Sequence, residues 1–291
     1  MHFTPVHSWN ACLGAWERIV KKPENACVHK QNVFNGLRKR RPSVLLDGSR
    51  WCLDHCLEPA LVAALGRAGS GFERTLSHRV PLGLLLVSRR ELTPEQLRLG
   101  LDEQRRRGFG KLGECLEALG FVGEQQITAA LARQWSCPVS KINSVLPRSA
   151  AAPQVPLALL ERFSMIPLDY VASSHTLFLA FAEAIDYSVL YAIEQMMGCR
   201  TEGCMALPSF VRTSLQVLAA QQQRLELVFE NLRDTSELCR IVRSYCVRLS
   251  ASEIRLAACG PYRWIRMLRD SSSISAVDLL MCLPPNYSVN D

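Results

Sequence analysis

The chain has 291 residues, enough for about two modest domains at roughly 100–200 residues each. Its 48% hydrophobic and 21% charged content is that of a packed globular protein and excludes a disordered one. The net charge of +7 is uneven, with nine Lys/Arg against three Asp/Glu in residues 1–50, and no run of 18 apolar residues supplies a membrane span.

The first segment, residues 1–78, is basic and holds the run Arg38-Lys39-Arg40-Arg41. Such a run can touch nucleic acid or an acidic lipid surface. No aromatic-rich basic groove accompanies it, so a solvated loop is expected and nucleic acid is not the expected partner. The order Met1-His2-Phe3-Thr4-Pro5 is not that of a signal peptide, which points to the cytoplasm. Residues 44–52 read as a β-hairpin around Asp47-Gly48, and 54–67 carry apolar residues at helical spacing.

Hairpin, cysteine, then a helix carrying Cys56 resembles the second half of a treble-clef zinc finger. Cys52 and Cys56 would then bind zinc with two upstream ligands, Cys27 together with either His29 or Cys12. The alternative is that Cys52 and Cys56 face the core of the short helix. Twelve cysteines in a cytoplasmic chain are expected to stay reduced. Cys115, Cys137, Cys199, Cys204, Cys239, Cys246, Cys259 and Cys282 lie singly among apolar residues, where cysteine acts as a small hydrophobe.

Residues 80–136 say nearly the same thing twice. Leu82-Gly83 recurs as Leu112-Gly113, Leu86 as Leu116, Leu92 as Val122, Leu97 as Ile127, Leu101 as Leu131 and Gln104 as Gln134, without a gap. Thr93-Pro94-Glu95-Gln96 is a capping box that opens a helix through Leu97, Leu101 and Gln104. Its twin starts near 123–126, and a short apolar turn precedes each. The spacer Arg105-Arg106-Arg107 places three positive charges beside both units. A duplicated helical unit with paired polar ends suits a ligand of two equal halves.

Residues 137–225 read as an α/β unit. A helix is expected at 157–162, strands at 165–171 and 176–181, a helix at 187–197, a strand at 204–207 and a helix from 208 through 225. Residues 235–291 offer a helix at 237–248 and strands at 253–258 and 262–268. The tail from 271 to 291 reads as loosely held, and this last segment buries too little to stand alone. The fold class is α+β: a helical two-motif repeat packed with a small α/β domain, preceded by the hairpin and helix.

The spaced pattern Leu-Gly-x2-Leu-x5-Leu-x4-Leu-x3-Leu-x2-Gln, present twice, resembles the N-terminal domain of type II secretion and type IV pilus assembly ATPases, the group that includes the MshE-type cyclic di-GMP receptor domain. The block from Phe163 through Ile166-Pro167-Leu168, Leu177-Phe178-Leu179-Ala180 and Ile185-Asp186 is similar to that family's α/β half, so the resemblance covers residues 80–225. Residues 238–242 through 250–256 look like the start of the family's next domain, with Ser250, Glu253 and Arg255 where it usually has Gly, Asp and His. No Gly-x4-Gly-Lys-Ser/Thr phosphate loop is present, and Gly110-Lys111-Leu112 lacks both spacing and hydroxyl, so the chain is not expected to be an ATPase.

In the ligand-binding members each glutamine reads a guanine edge, the leucines pack on the bases and an arginine before Leu-Gly adds charge. The resemblance therefore implies a cyclic di-GMP site from Leu82, Gly83, Leu86, Leu97, Leu101, Gln104, Lys111, Leu112, Gly113, Leu116, Ile127, Leu131 and Gln134. The arginine position is Pro81 in one unit and Lys111 in the other, and neither reproduces a guanidinium fork. Arg79 and the 105–107 run supply nearby charge. The alternative is that the apolar positions form a plain helix–helix core and the glutamines cap helix ends. Two functions follow: a non-catalytic module docking on secretion or pilus platform or ATPase proteins, recruited by them to the inner membrane, or a cyclic di-GMP receptor.

Overall fold

The computed structural model describes residues 42–69, 79–141, 154–221, 225–269 and 276–283. Strands β1 (Ser43–Leu46) and β2 (Ser49–Cys52) form the expected hairpin, and helix α1 (Leu57–Gly69) follows. The turn needs positive φ at both central residues, which Asp47 (φ 51°) and Gly48 (φ 73°) supply. The repeat forms four helices: α2 (Leu82–Ser88), α3 (Pro94–Arg107), α4 (Leu112–Ala118) and α5 (Glu124–Gln134). The Thr93 capping box closes as its sequence predicts, with Gln96 N donating to Thr93 Oγ1 and Thr93 N to Gln96 Oε1.

Next come α6 (Leu157–Arg162), β3 (Met165–Val171), β4 (Thr176–Phe181), α7 (Tyr187–Met197), β5 (Arg200–Met205) and α8 (Pro208–Ala220). Sheet order β3-β4-β5 is antiparallel then parallel, with α7 as the crossover between β4 and β5. The chain closes with β6 (Glu226–Phe229), α9 (Thr235–Leu249), β7 (Glu253–Cys259), β8 (Tyr262–Leu268) and β9 (Ala276–Cys282). These strands and the opening hairpin make one six-stranded sheet, β2-β1-β7-β8-β9-β6. The architecture is α+β, with two mixed sheets.

Four elements differ from the sequence reading. The tail expected to be loose contains β9, paired along its length with β8 and parallel to β6. Its sequence AVDLLMC is buried on both faces, so it lacks the two-residue alternation that marks a half-buried strand. Strand β6 has four residues, and the helix expected to reach 225 ends at Ala220. Strand β5 begins at Arg200, four residues before the expected start, because its polar first half lies on a partly exposed sheet edge.

The first and last segments of the described chain share one core. Val44, Leu46, Leu57, Leu61 and Leu65 pack with Leu238, Val242, Ile254, Ile265, Leu279 and Met281 on one face of the large sheet. The other face, through Ala257, Trp264 and Leu280, joins the core of the α/β half. Helix α7 lies between the sheets, packing on β7 with one side and on β5 with the other. Helices α6 and α8 cover the small sheet's far face.

One ion pair sits inside this stack. Arg266 and Asp278 are directly opposed on β8 and β9, at 6% and 2% side-chain exposure. Arg266 donates from Nε to Asp278 Oδ1 at 2.6 Å and from Nη2 to Oδ2 at 2.7 Å, and Trp264 Nε1 donates to the same carboxylate at 2.8 Å. Arg266 Nη2 also donates to the carbonyl of Gln154, tying the α/β half to the sheet. Replacing Asp278 by Ala leaves a buried guanidinium without its counter-charge and the Trp264 indole N–H without this acceptor. We expect a loss of about 3–5 kcal/mol in denaturant unfolding; a loss under about 1 kcal/mol would show that the pair is not the staple between layers.

Candidate functional site

The repeat is built by exchange between its two units. Helix α3 of the first packs on α4 of the second, and α5 of the second on α2 of the first. Small residues make the approach possible. A Cβ on Gly83 would lie 2.5 Å from Leu97 Cδ1 and 3.2 Å from Leu112 Cδ2; one on Gly113 would lie 3.3 Å from Ile127 Cγ2 and 3.6 Å from Leu82 Cδ2. Each Leu-Gly pair thus meets its own unit's second helix and the leucine of the other pair. On α3, Gly100 receives Leu116, whose Cδ2 would come within 2.5 Å of an added Cβ.

The two glutamines complete the exchange. Gln104 Nε2 donates to Gly110 O at 2.9 Å, and Gln134 Nε2 donates to Val80 O at 2.7 Å. These carbonyls hold equivalent places, two residues before Leu112 and Leu82, so each unit's glutamine fastens the other unit's entry. Both side chains are partly exposed, and no partner is recorded for either Oε1 among the described residues.

The other expected ligand positions divide by depth. Leu86 and Leu116 are fully buried and Ile127 is 9% exposed, in a core with Leu92, Val122 and Ala130. Leu82, Leu97, Leu101, Leu112 and Leu131 are half-buried, and Gly83 and Gly113 are buried. Lys111 is exposed, and its ammonium is paired with Glu183 of the α/β half. Glu114 Oε2 accepts the Lys111 backbone N–H at 3.3 Å, so two carboxylates stand at this entry.

Arg79 lies 3.3 Å above the centre of the Trp135 ring, which in turn meets Tyr187 of α7 at a centroid distance of 6.3 Å. Glu124 accepts both the backbone N–H and the hydroxyl of Ser209 in the first turn of α8. The 105–107 run adds less free charge than its sequence suggests. Arg105 pairs with Asp102 at 3.2 Å, while Arg106 and Arg107 pair with Glu103. The Arg106 hydrogen bond, with that of Arg107, holds the Glu103 carboxyl down to about 2.

Sequence reasoning did not find Glu183, Glu124 or Tyr187, which come from outside the motifs or belong to no recurring position. Trp135 was within reach, since it directly follows Gln134.

The cysteines behave as core residues. Burial pushes the thiols of Cys246 and Cys259 up to about 12 and those of Cys199, Cys204 and Cys239 up to about 11, leaving them protonated and poor metal ligands near neutrality. Cys52 is buried in β2, and Cys56 precedes α1. Cys27, His29 and Cys12 lie outside the described residues. Among the described residues, no group of three or more His, Cys, Asp or Glu could hold a metal ion. No helix among them is long and apolar enough to cross a membrane.

Compared with solved structures, the chain is similar to MshE with cdg (cyclic di-GMP), at 26% identity and a TM-score of 0.40, over 48% of this chain and 99% of that one. It is similar to the N-terminal domain of XpsE at 20% identity and a TM-score of 0.37, over 50% of this chain and 96% of that one. MshE and the XpsE N-terminal domain are its structural neighbours. A second crystal form of the XpsE domain matches at 22% identity and a TM-score of 0.30, over 45% of this chain and 89% of that one. No family model matches the chain, and no curated protein does.

The interlock makes a direct demand on Gly100, since an added Cβ would meet Leu116, which is fully buried, at 2.5 Å. Gly100→Val is expected to destabilise by about 1–3 kcal/mol through overpacking. An unchanged denaturation midpoint would show that the helices are not held at this spacing.

Proposed function

We propose that this chain is a non-catalytic module related to the N-terminal domains of secretion and pilus ATPases, which docks on a partner protein of a type II secretion or type IV pilus system. The observation that carries this reading is the aromatic seam between the repeat and the α/β half. Tyr187 and Tyr191 are one helical turn apart on α7 and 45% and 42% exposed, and Tyr187 meets Trp135, which carries Arg79 stacked on it. Tyr, Trp and Arg are the residue types that most often carry binding energy at protein interfaces. The repeat's own polar groups are largely engaged within the chain, which favours a preorganised docking surface. The partner is the cytoplasmic part of an inner-membrane platform protein, and the module acts from the cytoplasm, brought to the membrane by that contact.

Capture of such a partner by the purified chain is expected, and Tyr191→Ala should weaken it by about 2 kcal/mol, roughly thirtyfold. Capture that is unaffected by Tyr191→Ala would remove the seam from the interface. Recovery of no secretion or pilus component would contradict the docking reading.

A second reading is favoured by the exchange symmetry of the repeat, which sets two glutamine amides at equivalent places, with neither oxygen bonded among the described residues. Guanine offers N–H donors to such acceptors, and cyclic di-GMP presents two guanines. Calorimetric titration with cyclic di-GMP tests it. Binding that is lost in both Gln104→Ala and Gln134→Ala would support the reading, and binding unchanged in both would contradict the assigned residues.

A further inference from the structure

We infer that Glu183 is an internal competitor for Lys111, so that an anionic nucleotide at the repeat must displace a carboxylate of the α/β half before it gains this cation. The inference rests on the cyclic di-GMP reading of the repeat and deepens it.

Lys111 stands at the entry of the second unit, immediately before Leu112-Gly113. Its ammonium is paired with Glu183, 72 residues away in sequence, in the loop between β4 and α7. Both side chains are open to water, at 59% and 42% exposure, so a phosphate in solution can reach the lysine and the carboxylate can leave without being stranded in a dry interior. The first unit has Pro81 at the matching position and offers no cation there. Lys111 is therefore the single basic side chain at the two residues immediately preceding the Leu-Gly pairs, and its charge is already answered.

The pair also spans the joint between the two halves. Glu183 precedes the α7 N-cap, Asp186, whose carboxylate accepts the Ser188 N–H, and α7 packs on both sheets. Taking Lys111 from Glu183 exchanges a contact between the halves for a contact with ligand. Occupancy of the repeat is thereby coupled to the hold between the repeat and the α/β half, in either direction.

The test is a double-mutant cycle read by calorimetric titration with cyclic di-GMP, using the full chain as wild type, Glu183→Gln, Lys111→Gln and the double variant. Displacement of an exposed ion pair predicts that Glu183→Gln tightens binding by roughly two- to fivefold. Any gain from simply removing a negative charge persists without the lysine. Competition for the lysine predicts that the gain disappears in the Lys111→Gln background.

Tightening that is equal in both backgrounds, or no tightening where wild type binds, would overturn the competition and leave the ligand reading standing. Absence of binding in all four proteins would overturn the ligand reading and the competition with it.

Discussion

Each unit of the repeat leaves a carbonyl at its entry for the other unit's glutamine, and each Leu-Gly pair leaves a gap filled from the other pair. Gln104 reaches Gly110 and Gln134 reaches Val80, while Leu112 lies over Gly83 and Leu82 over Gly113. Neither short helix, α2 or α4, has the length to persist alone in water. Paired with the long helix of the opposite unit, each gains a buried side. The repeat is therefore a single folded object made from two copies of one idea, and its polar groups are placed by that mutual dependence.

The rest of the chain positions this object. Helix α5 ends at the seam, where Trp135 links Arg79 to Tyr187, and Glu124 caps α8 through Ser209. Behind the seam, α7 is clasped between two sheets, and the buried Arg266–Asp278 pair fixes Gln154, where the described chain re-enters the α/β half. A cation at the repeat's entry, a carboxylate in the loop between β4 and α7 and a central helix are thus in series. The proposed docking seam and the proposed nucleotide positions of the repeat are neighbouring surfaces, joined through Trp135 at the end of α5.

Much of this was legible in the sequence because local rules were strong there. The capping box at Thr93, the Asp47-Gly48 turn, the strands at 165–171 and 176–181 and the helix at 187–197 all follow short-range patterns that the structure repeats. The doubling itself was visible from Leu82 and Leu112 onward. What escaped was long-range. β9 carries no alternation because both of its faces are covered, and only the finished sheet reveals it as interior.

The role of the glutamines was half legible. Their recurrence showed that they matter, but that each serves the other unit's carbonyl depends on how four helices pack. The basic run 105–107 misled in the opposite way, because charge counted along the sequence ignores Asp102 and Glu103 one turn earlier on the same helix. Glu183 could not have been found, since nothing around it repeats or matches a spacing.

Native-state hydrogen exchange of the wild-type chain tests the mutual dependence of the two units most directly. If each completes the other, the slowest amides of α2, α3, α4 and α5 open together with one common free energy and one dependence on denaturant. Distinct opening free energies for α2 with α3 and for α4 with α5 would mean that the units fold separately, and would contradict the account.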